Sequence, residues 1–258
     1  MNIHPTAIVS KRAKIISGVS VGPYSIIGDE VTIDEGTRIG AHCVIEGRTR
    51  LGKNCQVFTG AVLGSIPQDF KYKGEVSFLE IGNENIIREY VTINPGTESN
   101  SKTVIGNENL IMAYSHIAHN CVIGNNCIIA NCGTLAGYVT IENRVVVGGM
   151  VAIHQFTRVG EYSIIGGCSK VVSDVPPYST CDGHPARIYG INLVGLRRNG
   201  ISDEAIKQLS HAFKRLFNSG LNLKNAIKEL SEERNTSAQV SHLMDFVKNS
   251  KRGVCRHC

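Results

Sequence analysis

The sequence predicts a mainly β protein, a parallel β-helix of hexapeptide repeats that is followed by a C-terminal α-helical domain. An aliphatic residue stands at 26 of the 29 positions that lie six apart from Ile3 to Val171. A small or β-branched residue usually comes two positions earlier, and glycine often comes one position later. After Pro176 and Pro177 this period stops and helical patterns begin. We therefore place the domain boundary between residues 1–189 and 190–258.

A period of six fits neither an amphipathic helix nor a long alternating strand. It fits short strands joined by tight corners, with one aliphatic residue inside each side of a coil. We expect the glycines that follow the aliphatic residues, such as Gly22, Gly40 and Gly106, to supply corners with positive φ. Three sides make an 18-residue triangular coil, and stacked coils lie about 4.8 Å apart.

Two stretches interrupt the period, near residues 64–80 and 94–104. Both contain polar residues, glycine and proline, and the exceptions to the aliphatic pattern fall within them. We expect them to be loops that protrude from corners of the coil. Loops on a rigid scaffold often carry function.

The sequence of the C-terminal region predicts four helices, which we expect to cover the last coil. The first runs from Ile191 to Arg198, and the second begins after a Ser202 cap and ends at Gly220. Two more are expected near 222–233 and 237–249. Residues 190–258 hold twelve Lys and Arg against six Asp and Glu, which suggests an acidic partner. Nucleic acid is disfavoured because neither a recognised motif nor stacking aromatics accompany the charge.

Composition argues against several classes of protein. The longest apolar runs are a few residues, too short to span a membrane, and residues 1–5 do not resemble a signal peptide. Cys43, Cys55, Cys121 and Cys127 occupy the small inward position, so we interpret them as small apolar residues in a reducing cytoplasm. Cys255 and Cys258 have C-x-x-C spacing without a second pair, and we expect this end to be a mobile tail.

The candidate chemistry lies where histidines meet the 18-residue register. His119, Gly137 and Gln155 are 18 apart and therefore share one column of the stack, with His116 and His154 nearby. A histidine beside a glycine of the next coil offers a general base and an unobstructed backbone N–H for an oxyanion.

These segments closely resemble the acyl-carrier-protein:UDP-N-acetylglucosamine O-acyltransferases, which catalyse the first step of lipid A biosynthesis. The similarity extends over nearly the whole chain. It also implies that the β-helix is left-handed, as in known hexapeptide proteins. The motifs that carry the resemblance lie at residues 68–72, 112–121, 133–137, 148–156, 166–169, 174–178 and 190–198.

The resemblance implies a role for each candidate residue. His119 is the general base, Asn120 orients it, and the N–H of Gly137 holds the thioester oxyanion. His116, His154 and Gln155 position sugar or phosphopantetheine groups. Asp69 and Lys71 contact the sugar, in the cleft of a neighbouring subunit. The remaining matches are Asn192 and Arg198 for the nucleotide and Gly167 for the acyl chain.

This sequence departs from the family's usual pattern at four positions. Asn120 stands where the family often has an acidic residue, and Tyr138 stands where a third cleft histidine occurs. Val194 and Asn199 replace polar and basic nucleotide contacts. An amide can fix an imidazole tautomer, but it adds no charge to stabilise the imidazolium.

The implied partners are acyl carrier protein, UDP-N-acetylglucosamine and two further copies in a homotrimer. No cofactor or metal beyond the carrier's phosphopantetheine is expected, nor is nucleic-acid binding or stable membrane insertion. Four alternatives stay open. They are an acceptor with a 3-amino sugar, the related N-acyltransferase (although the register starts at Ile3), a structural subunit, and a zinc carbonic anhydrase that uses His116, His119 and His154.

Overall fold

The computed structural model describes residues 2–233 and 236–255. Four helices follow the strands: α1 (Leu193–Arg198), α2 (Asp203–Asn218), α3 (Leu223–Ser231) and α4 (Ala238–Lys248). The described strands, in chain order, are β1 (Asn2–Ile3), β2 (Ile8–Val9), β3 (Lys14–Ile15), β4 (Ser20–Val21), β5 (Ile26–Ile27), β6 (Thr32–Ile33), β7 (Arg38–Ile39), β8 (Val44–Ile45), β9 (Arg48–Leu51), β10 (Gln56–Val57), β11 (Val62–Leu63), β12 (Phe78–Ile81), β13 (Ile86–Ile87), β14 (Thr92–Ile93), β15 (Lys102–Ile105), β16 (Leu110–Ile111), β17 (His116–Ile117), β18 (Val122–Ile123), β19 (Ile128–Ile129), β20 (Thr134–Leu135), β21 (Thr140–Ile141), β22 (Val146–Val147), β23 (Ala152–Ile153), β24 (Arg158–Val159), β25 (Ile164–Ile165), β26 (Lys170–Val171), β27 (Ser179–Gly183) and β28 (Ala186–Ile191).

The strands form three sheets, one on each side of a prism, as the period of six predicts. From β1 to β27 each strand pairs in parallel with the equivalent strand of the next coil, so that Ile3, for example, lies beside Val21. The sheets follow the orders β1-β4-β7-β10-β13-β16-β19-β22-β25-β27-β28, β2-β5-β8-β11-β14-β17-β20-β23-β26 and β24-β21-β18-β15-β12-β9-β6-β3. The predicted parallel β-helix is therefore confirmed.

The core of the prism is the aliphatic column that the sequence predicts. Ile33, Ile93 and Ile117 are fully buried, and each such side chain contributes about 1.5–3 kcal/mol to folding. The cysteines of the small inward position are also buried. Burial raises the pKa of Cys121 to about 12 and that of Cys127 to about 11, which keeps both thiols protonated.

The corner glycines have a different purpose from the one predicted. Positive φ occurs three residues after the aliphatic position, for example at Tyr114 (63°) and Tyr138 (59°). Gly106, which directly follows an aliphatic residue, has an ordinary φ, but a Cβ there would lie 2.5 Å from the carbonyl oxygen of Gly124. Glycine is therefore required at position 106 by the close approach of stacked coils. The prediction of a φ requirement is wrong for Gly22, Gly40 and Gly106, although Gly64, after Leu63, does have a positive φ of 84°.

The two interruptions are loops, and both are shorter than predicted. The first occupies residues 64–77 because β12 begins at Phe78, and the second occupies 94–101 because β15 begins at Lys102. Across the first loop Leu63 still pairs with Ile93, and across the second Ile93 still pairs with Ile117. Each loop thus lengthens its coil by a whole number of hexapeptides, which leaves the aliphatic pattern in phase.

The C-terminal region closes the last coil. The antiparallel hairpin of β27 and β28, which the sequence did not reveal, extends the eleven-stranded sheet. The Ser202 side chain caps α2 as predicted, accepting from the N–H of Ala205. Leu209 and Leu216 of α2 are buried in the same core cluster as the coils. None of the described helices is long and apolar enough to cross a membrane.

An ionic cluster joins α4 to the β-helix. His242 Nε2 lies 3.1 Å from a carboxylate oxygen of Glu142, and its Nδ1 lies 3.4 Å from one of Glu161. Tyr178 donates its hydroxyl proton to Glu161. Hydrogen bonds to both carboxylates raise the pKa of His242 to about 9, so the bridge is ionised at neutral pH.

The tail is anchored as far as it is described. The N–H of Cys255 donates to the carbonyl of Asp174 over 2.8 Å, and the N–H of Asp174 donates to the carbonyl of Gly253 over 2.9 Å. The Cys255 side chain is buried. The prediction of a mobile tail is therefore wrong for Cys255, while Cys258 lies outside the described residues.

Candidate active site

One corner of the prism carries the predicted column. The chain leaves β17, passes His119 and turns at Asn120, whose φ is 59°. One coil on, the N–H of Tyr138 donates to the carbonyl of His119 over 3.0 Å, and the N–H of Phe156 donates to that of Gly137 over 3.1 Å. His119, Gly137 and Gln155 therefore stack as the 18-residue register predicts.

The imidazole of His119 lies directly against the backbone of Gly137. A Cβ on Gly137 would stand 2.5 Å from Cε1 and 2.6 Å from Nε2 of His119, far inside van der Waals contact. The histidine side chain is largely buried. Only glycine leaves room for the ring at this place, so the two predicted catalytic groups are adjacent.

The N–H of Gly137 has no hydrogen-bond acceptor within the part of the chain that is described. The equivalent N–H groups at another corner are capped by an asparagine of the next coil. In each case the Oδ1 atom of the asparagine accepts from a backbone N–H over 2.7–2.8 Å. The pairs are Asn83 with the N–H of Lys53, Asn107 with that of Asn83, Asn125 with that of Asn107, and Asn143 with that of Asn125. The N–H of Gly137 is therefore a donor that remains available to a ligand.

The hydrogen bonds of Asn120 fix the tautomer of His119. Asn120 Oδ1 accepts from the backbone N–H of Thr97 over 3.1 Å and from its hydroxyl over 2.9 Å. The same oxygen lies 2.9 Å from His119 Nδ1. Because an amide oxygen only accepts, Nδ1 carries the proton and Nε2 holds the free lone pair. Nε2 is thus the basic atom of this site.

Asp69 faces that basic atom from the first loop. Its Oδ2 lies 3.8 Å from His119 Nε2, and its Oδ1 accepts from the N–H of Lys71 over 2.9 Å. Asp69, Lys71 and Gln155 line one cavity of about 390 Å³. The expectation that this loop reaches a neighbouring subunit's cleft is corrected for Asp69, which contacts the histidine of its own chain.

The other two histidines lie on the strand side that leads into this corner, His116 on β17 and His154 just after β23. His116 Nδ1 is 2.7 Å from the hydroxyl of Thr92, and burial, followed by the nearby His119, lowers the His116 pKa, which favours a neutral ring. His154 is exposed, and its Nδ1 donates to the carbonyl of Gln155 over 3.1 Å. Both side chains are therefore held close to the column without filling it.

The predicted nucleotide and acyl contacts lie elsewhere in this chain. Asn192 caps α1 by accepting from the N–H of Gly195, and its amide donates to the carbonyl of Tyr162, a residue at a different corner. Arg198 is exposed at the end of α1. Gly167 is exposed at the third corner, beside Gly149. A single chain does not bring these three residues to His119.

Two of the residues that depart from the family's pattern lie near α1. Val194 is exposed, and Asn199 accepts a hydrogen bond from Arg144 over 2.8 Å.

Tyr138 packs edge-on against the ring of His119, with ring centroids 5.3 Å apart. Its hydroxyl donates to Glu98, which lies in the second loop. Thr97 and Glu98 were missed by the sequence reasoning, and the only signal for them was their place in an interruption of the period.

Metal ligation finds no support in the geometry. Among residues 2–233 and 236–255, no three or more His, Cys, Asp or Glu side chains are arranged to hold a metal ion. His119 Nδ1 is hydrogen-bonded to Asn120 Oδ1, and His116 Nδ1 is hydrogen-bonded to the hydroxyl of Thr92. The three histidines of the zinc alternative therefore do not converge.

A hexapeptide β-helix with a basic histidine against an uncapped N–H defines a hexapeptide acyltransferase. A bacterial transferase hexapeptide family (six repeats) matches residues 12–47 and 102–137, and UDP N-acetylglucosamine O-acyltransferase, domain 2, matches 174–255. The chain is 51% identical to the acyl-[acyl-carrier-protein]–UDP-N-acetylglucosamine O-acyltransferase of Thermodesulfovibrio yellowstonii, covering 98% of this chain and 99% of that one.

Solved structures of UDP-N-acetylglucosamine acyltransferases superpose closely on this chain. The UDP-N-acetylglucosamine acyltransferase from Campylobacter jejuni superposes with a TM-score of 0.94 at 39% identity, covering all of both chains. The enzyme from Bacteroides fragilis gives 0.96 at 40% identity, over 98% of this chain and 99% of that one. The chain belongs to the acyl-[acyl-carrier-protein]–UDP-N-acetylglucosamine O-acyltransferase family, and its β-helix is left-handed.

Proposed function

We propose that this acyltransferase moves a 3-hydroxyacyl chain from the thioester of acyl carrier protein to the 3-hydroxyl of UDP-N-acetylglucosamine, the first step of lipid A biosynthesis. The observation that carries the proposal is the imidazole of His119 lying against Gly137, whose N–H has no acceptor among the described residues. Together they form a base and an oxyanion donor within one small space. No resident cofactor enters this reaction.

The chemistry begins at His119 Nε2. This atom removes the proton of the sugar hydroxyl while the sugar oxygen bonds to the thioester carbon, and the N–H of Gly137 stabilises the oxyanion. The C–S bond then breaks, and the imidazolium returns the proton to the departing phosphopantetheine sulfur. A general base contributes about 10²–10⁴-fold and one oxyanion donor about 10²–10³-fold to the rate.

The surrounding side chains position the substrates. Asp69 and Lys71 line the cavity beside Nε2 and bind the sugar hydroxyls. Gln155 lines the same cavity. His116 and His154, on the strand side that leads into this corner, hold sugar or phosphopantetheine groups. Gly167, which has no side chain and lies at another corner, leaves space for the acyl chain when a neighbouring chain brings it to the cleft.

A second copy of the chain completes the site. Asn192 and Arg198 lie at a corner other than that of His119, so they reach a nucleotide in this cleft only from a neighbouring chain. We infer a cyclic homotrimer with one cleft at each subunit boundary. Arg198 then pairs with the diphosphate, and the basic helical domain receives the acidic carrier protein in the cytoplasm.

The test is replacement of His119 with alanine. We expect kcat for hydroxyacyl transfer to fall by at least about 10²-fold, since the general base is lost. His4→Ala, at an exposed histidine of the first coil, is the matched control. Turnover near that of the parent in His119→Ala would reject the proposed base.

A second experiment decides the acceptor. Mass spectrometry of the products formed from UDP-N-acetylglucosamine and from its 3-amino analogue separates an ester product from an amide product.

A further inference from the structure

The partner of His119 Nδ1 is uncharged. Asn120 Oδ1 accepts hydrogen bonds from His119 and from both donors of Thr97, so its acceptor capacity is used. The amide nitrogen of Asn120, which only donates, points to a different group. It donates to Glu98 Oε2 over 3.0 Å.

The second oxygen of the same carboxylate is also occupied. Tyr138, from the next coil, donates its hydroxyl proton to Glu98 Oε1. This hydrogen bond lowers the pKa of Glu98, while burial and the neighbouring carboxylate raise the pKa of Tyr138. At neutral pH the pair is therefore a carboxylate and a neutral phenol. The two departures from the family's pattern beside His119, Asn120 and Tyr138, thus contact one negative charge.

We propose that Glu98 is a positioning residue that supplies, through the amide of Asn120, the negative charge behind the imidazole of His119. This inference rests on the proposed function of His119 as the base. Glu98 does not touch the reacting atoms. It polarises the amide, which strengthens the Nδ1–H hydrogen bond and stabilises the imidazolium that forms during transfer.

Other charged groups also face His119, and the test must hold them constant. Asp69 approaches Nε2 from the first loop, and the His116 ring lies on β17. Lys71 and Glu75 line the neighbouring cavity. None of these is altered by Glu98→Gln, which removes the charge. The glutamine oxygen still accepts from the Asn120 amide, and its amide nitrogen then donates to the Tyr138 hydroxyl, which rotates to accept.

The experiment measures kcat/KM against pH for purified Glu98→Gln, Asn120→Asp and the double variant, with UDP-N-acetylglucosamine and hydroxyacyl carrier protein. For Glu98→Gln we expect kcat to fall about tenfold with little change in KM, and the acidic limb of the pH profile to move to lower pH by about half a pH unit. Glu80→Gln removes a carboxylate paired with Lys102 beside the same loop, and it is the charge-matched control.

The double variant separates charge from loop anchoring. In Asn120→Asp combined with Glu98→Gln, the negative charge lies on residue 120, directly beside the Nδ1–H group of His119. We therefore expect kcat to return to within about threefold of the parent. If Glu98 served only to hold the loop, the double variant would stay as slow as Glu98→Gln. A parental kcat and pH profile in Glu98→Gln, with His119→Ala inactive, would overturn this inference alone. An active His119→Ala would overturn the proposed function instead.

Discussion

Gly137→Ala tests the contact on which the proposed chemistry depends. The φ of Gly137 lies outside the left-handed region, so alanine is compatible with the backbone there. Its Cβ, however, would stand 2.5 Å from Cε1 and 2.6 Å from Nε2 of His119. Carbon atoms in ordinary contact are about 3.5–4.0 Å apart, so the ring must retreat by roughly 1–1.5 Å.

That retreat disturbs the base more than the fold. The ring would leave the 2.9 Å hydrogen bond to Asn120 and its place beside Asp69. A displacement of about 1 Å can cost about 10²-fold in rate, so we expect kcat/KM to fall by that factor. The obstacle is a side chain and not the backbone, so stability should fall by only about 1 kcal/mol, the worth of one hydrogen bond.

The assay is the initial rate of hydroxyacyl transfer, with Tm measured on the same preparations. Gly149→Ala is the matched control, because its Cβ would meet nothing closer than 3.4 Å. A Gly137→Ala enzyme with parental kcat/KM and parental Tm would show that the imidazole does not need this position. The geometric argument for a base and an oxyanion donor would then fail.

Two further predictions concern stability, measured by urea unfolding. His242 has a pKa raised to about 9, so the stability from its bridge is complete below about pH 6.5, its ordinary pKa, and is lost as the pH rises through 9. The unfolding free energy of the parent should therefore fall by about 1–2 kcal/mol more than that of His242→Gln between those two pH values, after discounting for the exposed third of the side chain. An unchanged pH profile of the unfolding free energy would contradict this. Gly106→Ala forces a Cβ against the Gly124 carbonyl and should cost about 1–3 kcal/mol. A loss no larger than in Gly149→Ala would contradict the steric argument.

The fold was predictable because the signal is local and repeated. Each side of the coil needs the same aliphatic residue at the same place, and an uninterrupted run from 105 to 171 fixes which residues share a column. His119 and Gly137 could therefore be paired by counting alone. The hairpin of β27 and β28 was not predictable in this way, since it lies beyond the last repeat.

The loops set the limit of the sequence reasoning. Glu98 and Asp69 lie in segments that leave the coil, so no register states which residues they meet. Their contacts with Asn120 and His119 are tertiary and appear only in the structure. The requirement for glycine at position 106 was also recognised for the wrong reason, because close packing between coils leaves no mark that distinguishes it from a φ requirement.

The corner N–H groups bear on how such an enzyme can arise. Turns of the coil supply backbone donors that the sheets do not use, and at one corner of the described coils a run of asparagines occupies them. An anion-binding group is thus present in the scaffold before any catalytic residue is added. At a corner without such caps, like that of Gly137, new chemistry needs little more than the arrival of one base beside the open N–H, which helps to explain how a monotonous architecture can be converted into a catalyst.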